Sequence, residues 1–169
     1  MKFHSDNYFQ IGQSHLIGGK PCQDFALSSA LLTGACAIVS DGCSTGRHTD
    51  VGARVLTFAT LEALKNRELA VKIGHDFAGE IQLEQKQRVD LVKTNLGLEK
   101  SDLLSTCLYV YASPVGGYIR INGDGVVAVK YRDGRIIMRR FEWANNAPFY
   151  PAYDDLDILP YLTQIHNGR

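Results

Sequence analysis

The chain has 169 residues, of which 45% are hydrophobic and 21% are charged, and its formal net charge is zero. This length and composition fit a single globular domain, residues 1–169, that can bury a sizeable core. The balanced charge without a basic run argues against nucleic-acid binding, and the lack of an apolar run of about 18 residues argues against a membrane span.

The N-terminus becomes polar within its first few residues, so no signal peptide is predicted. Four cysteines are scattered along the chain without a Cys-x-x-Cys pair: Cys22, Cys36, Cys43 and Cys107. This spacing predicts reduced thiols in a cytoplasmic protein and argues against a zinc site.

The first predicted elements are strands, and two long helices follow them. Alternation and β-branched residues predict strands over residues 8–13, 25–32 and 34–40. Helical spacing then predicts a helix that has Thr49 or Asp50 as its N-cap and ends at Asn66. A second helix is predicted over about residues 68–96, with Gly97 as its C-terminal stop.

The second half of the chain returns to β-like composition. Strands are predicted over residues 105–112, 118–122, 126–131 and 136–141. A tight turn at 123–125 and a type I′ turn at Asp133-Gly134 would make these strands an antiparallel meander. A last strand or short helix is predicted over 158–165. The order of strands, helices and strands predicts an α+β layered fold, with helices on the faces of mainly antiparallel sheets.

Three aspartates lie where loops meet predicted strands: Asp24, Asp41 and Asp124. Asp41 follows the apolar run 35–39, and Gly42 would let its own carbonyl approach a ligand closely. Hard divalent cations prefer carboxylate oxygen, backbone oxygen and water, so these residues predict a metal site that activates a water. The alternative is that each aspartate only forms a turn, which is the interpretation preferred for Asp133.

Two further groups are candidates for chemistry. His15 and Lys20 flank the glycine turn before Asp24 and could contact a phosphate, although a plain surface role is an equal alternative. Cys43 and His48 could pair as a nucleophile and its base, but their proximity in sequence does not establish that geometry.

Three motifs, taken in order, resemble the metal-dependent protein phosphatase family of type 2C, and most closely its divergent bacterial branch. The motifs are Gly12-Gln13-Ser14-His15 through Gln23-Asp24, then Ile38-Val39-Ser40-Asp41-Gly42 with Thr49-Asp50-Val51-Gly52-Ala53, and finally Thr106-Cys107 with Asn122-Gly123-Asp124-Gly125. The likeness spans about residues 11–141.

The resemblance implies a layered β-sandwich flanked by helices, with two or more Mg²⁺ or Mn²⁺ ions at one end. It implies hydrolysis of phosphoserine and phosphothreonine in phosphorylated proteins by a metal-activated water, and a signalling role beside a cognate kinase. Carried over by position, Asp41 would be the catalytic aspartate that bridges two metals, and Gly42 would offer its carbonyl. Asp24 would support metal-bound water, and Asp124 would serve an additional metal.

The sequence departs from the family pattern at several positions. Gln23 stands where many members have glutamate, Cys43 stands where many have histidine, and Gly19 and Lys20 occupy the region of the usual phosphate arginine. Two further metal-binding aspartates of the family's C-terminal third have no counterpart, so the chain is expected to represent the N-terminal two thirds of the fold. These departures make a non-catalytic regulatory or binding module the alternative function, and exposed strand edges would then favour a homo-oligomer.

Overall fold

A computed structural model gives the structure of residues 2–68, 77–143, 148–153 and 165–167. Its helices are Gln13–Ile17 (α1), Thr49–Arg67 (α2) and Phe77–Leu96 (α3), and its 3₁₀ turns are Lys100–Leu103 and Pro151–Tyr153. Its strands are Asp24–Ala30 (β1), Ala35–Asp41 (β2), Cys107–Ser113 (β3), Gly116–Asn122 (β4), Gly125–Lys130 (β5), Ile136–Trp143 (β6) and Ile165–Asn167 (β7).

The strands form two antiparallel sheets. The first sheet has the order β1-β2-β3-β4, and the second sheet has the order β5-β6-β7. A cavity of about 450 Å³ is lined by residues of both sheets, whereas α2 packs on the opposite face of the first sheet and α3 packs on α2. The predicted α+β fold of antiparallel sheets and helices is confirmed.

Alternation in the central strands explains which face of the first sheet is buried. In β2, Cys36 and Ile38 are each 1% exposed, whereas Val39 between Ile38 and Ser40 is 47% exposed. The buried side chains meet Leu64 of α2 and Phe77 of α3, because side chains two residues apart share a face of a strand. Burying each large apolar side chain stabilises the fold by roughly 1.5–3 kcal/mol. The core therefore lies between the first sheet and the helices.

The predicted first strand over residues 8–13 is wrong. No strand is formed there, and Gln13 already begins α1. Instead, the side chain of the neighbouring Asn7 binds β1: its amide nitrogen donates to the carbonyl of Ala26, and its amide oxygen accepts from Ser28. This segment is fixed beside β1 by side-chain bonds and an aromatic contact between Phe9 and Phe25, without a backbone ladder.

The predicted four-strand meander is also wrong, because β4 and β5 belong to different sheets. Gly123 and Gly125 have φ angles of 114° and 151°, which favour glycine and redirect the chain between the two sheets. A Cβ on Gly123 would also lie 2.6 Å from Cγ2 of Thr106. The turn predicted at residues 123–125 is therefore a crossover between sheets.

Several element ends differ from the prediction by a few residues. His48 is the N-cap of α2 in place of Thr49 or Asp50, and α2 extends one residue past Asn66. Gly97 follows α3 with a φ of 64°, which confirms the predicted stop. Residues 131–135 connect β5 to β6. The Gly134 amide donates to the Tyr131 carbonyl and the Tyr131 amide donates to the Arg135 carbonyl, so the predicted two-residue type I′ turn is wrong.

The predicted second helix and last element fall partly outside the structure. Residues 69–76 and 158–164 lie outside the described residues. Among the described residues, no helix is both long enough and apolar enough to cross a membrane.

Candidate active site

The antiparallel register of β1 and β2 brings two of the predicted aspartates together. Asp24 begins β1 and Asp41 ends β2, and their Cα atoms are direct partners in the ladder. The pairing continues one step further, because the Gly42 amide donates to the Gln23 carbonyl at 3.1 Å. Two carboxylates that are 17 residues apart in sequence therefore stand side by side at one end of the first sheet.

Thr106 holds the backbone of Asp41 from both sides. The Asp41 amide donates to Oγ1 of Thr106 at 2.9 Å, and the Thr106 amide donates to the Asp41 carbonyl at 2.8 Å. Oγ of Ser40 donates to the Thr106 carbonyl at 2.6 Å, and both residues are buried. These bonds join β2 to the segment before β3 and fix the backbone that carries the Asp41 carboxylate.

Asp124 reaches the same place from the crossover between β4 and β5. Two adjoining clefts, of about 370 and 400 Å³, are both lined by Asp24, Asp41, Thr106 and Asp124. The structure therefore brings together the three aspartates that the sequence singled out. We call this set, Asp24, Asp41 and Asp124, the carboxylate cluster.

The environment of the carboxylate cluster changes the pKa of Asp41. Partial burial, a hydrogen bond with Asp24 and the charges of Asp24 and Asp124 raise the pKa of Asp41 to about 7. The Asp41 side chain is nevertheless exposed on the side of the cleft, where the charges of Asp24 and Asp124 oppose its ionisation. A bound cation would offset the effect of these two carboxylates on the pKa of Asp41.

The donor chemistry of the carboxylate cluster suits a hard cation. Mg²⁺ is commonly held by one or two carboxylates and keeps several waters, and Mn²⁺ accepts the same oxygen ligands. Within residues 2–68, 77–143, 148–153 and 165–167, however, no group of three or more His, Cys, Asp or Glu side chains is arranged tightly enough to hold a metal. The Asp24–Asp41 pair fits an ion that completes its shell with water, and a closed protein cage is not formed.

Gln23 is a site residue whose role the sequence pattern did not reveal. Its Nε2 donates to Oγ1 of Thr49 at 2.8 Å and to the Cys43 carbonyl at 3.3 Å. It therefore ties the start of β1 to the loop after Asp41 and to the start of α2. Its Oε1 is buried and has no hydrogen-bond partner in the described structure. The only sequence signal was its departure from the family's glutamate.

The predicted Cys43–His48 pair is not formed. Burial acts to raise the pKa of the Cys43 thiol, but hydrogen bonds from Thr45, Tyr150 and Gly46 outweigh it and lower that pKa. The Sγ of Cys43 lies 3.1 Å from Oγ1 of Thr45, and no hydrogen bond joins it to His48. His48 is instead the exposed N-cap of α2, so this geometry does not support a cysteine–histidine nucleophile.

The two predicted phosphate contacts lie at different distances from the cleft. His15, on α1, lines the polar cleft of about 400 Å³ together with Cys43 and Thr45. Lys20 follows α1, is exposed, and is not among the residues that line this cleft. The geometry therefore places His15, but not Lys20, beside the carboxylate cluster.

Comparison with known proteins identifies a family for most of the chain. The family model described as Protein phosphatase 2C matches residues 11–150, which include α1, the first sheet, both long helices and every residue of the carboxylate cluster. No curated protein and no solved structure matches the chain significantly.

Proposed function

Because this chain belongs to the protein phosphatase 2C family, we propose that it is a metal-dependent phosphatase that hydrolyses phosphoserine and phosphothreonine in proteins. Family membership supports a phosphatase-type function. The single observation that supports the metal-dependent mechanism is the convergence of Asp24, Asp41 and Asp124 on one cleft, where burial, the hydrogen bond with Asp24 and the charges of Asp24 and Asp124 raise the pKa of Asp41 to about 7. Ionised carboxylates in that arrangement repel one another, and binding of a divalent cation removes this repulsion.

The chain's own residues have defined tasks in this proposal. Asp24 and Asp41 would hold Mg²⁺ or Mn²⁺, Gly42 would add its carbonyl, and Asp124 would hold a further ion. When bound, the metal supplies a water of lowered pKa and neutralises charge on the phosphate. Thr106 keeps the Asp41 backbone in position through two hydrogen bonds, so the chain segment that carries the catalytic carboxylate is already ordered before the reaction.

The polar cleft is the proposed place for the phosphate. His15 lies on its wall, and the exposed hydroxyls of Ser44 and Thr45 stand on the same side of the carboxylate cluster. Lys20 could only act by reaching in from the surface as a flexible point charge. A phosphorylated protein is the proposed substrate, and a cognate kinase is the proposed functional partner.

The test compares Asp41→Asn with a matched control, Asp133→Asn. Asp133 lies in the β5–β6 loop, where its carboxylate accepts from the Arg135 amide at 3.0 Å, and it lines neither cleft of the carboxylate cluster. Hydrolysis of a chromogenic phosphate ester and of a phosphopeptide is measured with Mn²⁺ and with Mg²⁺, and metal binding is followed by calorimetry on the same samples. Asp41→Asn should lose at least about 100-fold in rate and most of its metal affinity, whereas Asp133→Asn should keep both.

Two results would overturn the proposal. Hydrolysis that survives both chelation and Asp41→Asn would exclude the metal-dependent mechanism. Phosphopeptide binding without turnover would favour the alternative function, a non-catalytic regulatory module. That alternative is favoured by one observation, that the described residues contain no group of three side chains arranged to hold a metal.

A further inference from the structure

The second sheet presents apolar side chains to solvent on one of its faces. The register of β5 and β6 places six side chains on that face in opposite pairs, which together we call the outer face: Val126 with Arg140, Ala128 with Met138, and Lys130 with Ile136. Val126, Ile136 and Met138 are 53%, 59% and 62% exposed. The side chains that alternate with them include Val127 and Ile137, which are half-buried. The outer face is therefore the solvent side of the second sheet.

The composition of the outer face is unusual for a surface that water covers. When one face of an antiparallel sheet is solvated, its outward positions are normally polar. Here four of the six outward side chains are apolar, and no described helix packs extensively on β5 or β6. A contiguous apolar surface that is left exposed commonly marks an interaction site.

Positive charge flanks these apolar side chains. The whole chain has no net charge, but residues 126–140 contain five cations and one acid, Asp133. Lys130 and Arg140 lie on the outer face itself at diagonally opposite ends, because Lys130 ends β5 and Arg140 stands opposite Val126. Arg140 contacts Glu142 at 2.5 Å, in an exposed pair of the kind that contributes little to stability. Lys130 forms no ion pair within the described residues, so both cations can pair with carboxylates of a partner.

The spacing of these groups suits a helix that lies along the strands. Lys130 follows Val126 by four residues, which is about 13 Å at the rise of a β-strand. Because Arg140 lies beside Val126, the two cations are about 13 Å apart along the sheet and belong to different strands. An α-helix covers this distance in about nine residues, or about two and a half turns, and so ends on its opposite flank. Carboxylates at that spacing would meet both cations, with an apolar stripe between them over Ile136 and Met138.

We infer that the outer face binds an amphipathic α-helix of a partner protein whose apolar stripe is flanked on both sides by Asp or Glu. An apolar centre with a charged rim is the usual layout of an interface between proteins. The inference goes beyond the proposed function and does not rest on it, because the carboxylate cluster contributes no residue to the outer face.

A second copy of the chain and an anionic membrane are the competing occupants of the outer face. A symmetric dimer would press the same surface of both copies together and bring cations against cations. A membrane-bound surface has apolar side chains that reach about 5–10 Å into the bilayer. Here the apolar side chains lie within the strands, and the loop that ends the hairpin carries Arg132, Asp133 and Arg135. The charge and the layout of the outer face therefore favour an acidic helix.

The test uses the full chain and two fluorescent helical peptides of about 18 residues that share one Leu stripe. One peptide carries Glu on both flanks of the stripe and the other carries Lys, and binding is measured by anisotropy. The wild-type protein should bind the Glu peptide at least about tenfold more tightly than the Lys peptide, and added salt should reduce this preference. The variant I136T/M138T, in which Thr keeps the strand propensity, should bind the Glu peptide at least about tenfold more weakly. The variant K130E/R140E should prefer the Lys peptide, which a misfolded protein would not do.

The matched control is K86E/K93E, which changes the net charge by the same amount on α3, in the helical layer. It should keep the wild-type preference for the Glu peptide. Equal binding of both peptides by the wild-type protein, or an unchanged preference in K130E/R140E, would overturn the inference. Binding to phosphatidylserine vesicles without binding to either peptide would assign the outer face to a membrane instead. A dimer that I136T/M138T dissociates, seen by sedimentation, would assign it to a second copy.

Discussion

At the scale of single residues, Asp41 makes the stability of the metal-free protein depend on pH. Its pKa of about 7 lies above the ordinary value of 3.8, so the folded state holds a proton that the unfolded chain releases between these values. The stabilisation of the folded state by this proton is therefore fully present below about pH 4 and is lost as the pH rises through 7. Adding Mg²⁺ or Mn²⁺ would remove the loss if the carboxylate cluster binds the ion.

We predict that Asp41→Asn, which stays neutral, loses less stability than the wild type between pH 4.5 and 7.5. Urea denaturation of both proteins in the presence of a chelator measures this difference. Asp133→Asn serves as the control and should follow the wild type, because Asp133 is exposed in a hairpin loop away from the cluster. Parallel curves for wild type and Asp41→Asn would show that the neighbouring carboxylates do not perturb Asp41.

Gly42 is required at its position by the close approach of two backbone segments. A Cβ atom there would lie 2.7 Å from the Thr49 carbonyl oxygen and 2.9 Å from the Gln23 carbonyl oxygen. Gly42→Ala should therefore destabilise the fold by about 1–3 kcal/mol, as overpacking of a close contact does. Chemical denaturation measures the change.

Gly79→Ala provides a comparison of opposite sign. Gly79 is exposed on α3, and a Cβ there would meet nothing within 4 Å, so this change should stabilise the fold by about 0.5–1 kcal/mol. Equal effects of the two substitutions would contradict the close packing around Gly42.

At the scale of elements, α2 and α3 are joined by a charged network around Glu84. The carboxylate of Glu84 accepts from Arg67 at 2.9 Å, from Arg88 at 2.8 Å and from Asn66. Burial alone would raise the pKa of Glu84, but the hydrogen bonds from Arg88, Asn66 and Arg67 outweigh it and lower that pKa. The stability from this network is present above the ordinary pKa of 4.5 and is lost as the pH falls through the lower native value.

Glu84→Gln should destabilise the protein by about 1–3 kcal/mol at pH 7, because charged hydrogen bonds are lost at a buried position. The difference in the free energy of unfolding between variant and wild type should become smaller as the pH falls below 4.5. Denaturation at several pH values measures this difference. Glu62→Gln is the control: Glu62 pairs with Lys65 at 2.8 Å on the surface, where such pairs contribute little. A gap for Glu84→Gln that stays constant with pH would contradict the ionised network.

At the scale of the whole molecule, the two sheets are packed very differently. The first sheet has the helices on one face, whereas the second sheet faces it across the cavity of about 450 Å³ and leaves Val126, Ile136 and Met138 more than half exposed. Local opening costs least where few apolar contacts are buried. We predict that amides of β5 and β6 exchange with solvent at a lower free energy of opening than amides of β2 and β3.

Native-state hydrogen exchange measures this difference strand by strand. Amides of the β1–β2 ladder, at the edge of the well-packed first sheet, serve as the internal control. Equal protection of both sheets would show that the second sheet is fixed as firmly as the core.

The sequence by itself determined the class of the fold and the identity of the cluster. Alternation in residues 35–41 and 107–113 and the helical spacing after Asp50 are local consequences of which side chains must be buried, so they can be read without coordinates. Asp24, Asp41 and Asp124 were recognisable because each lies at a loop boundary beside glycine or an apolar run.

Only the tertiary structure decided how these pieces meet. The register of β1 against β2, the crossover at Gly123 and Gly125 and the bonds of Gln23 depend on contacts between residues far apart in the chain. Local propensity could not distinguish a crossover from a hairpin, because glycine with positive φ serves both. For the same reason the cavity of about 450 Å³ could not be foreseen, since it exists only where two separate sheets face each other.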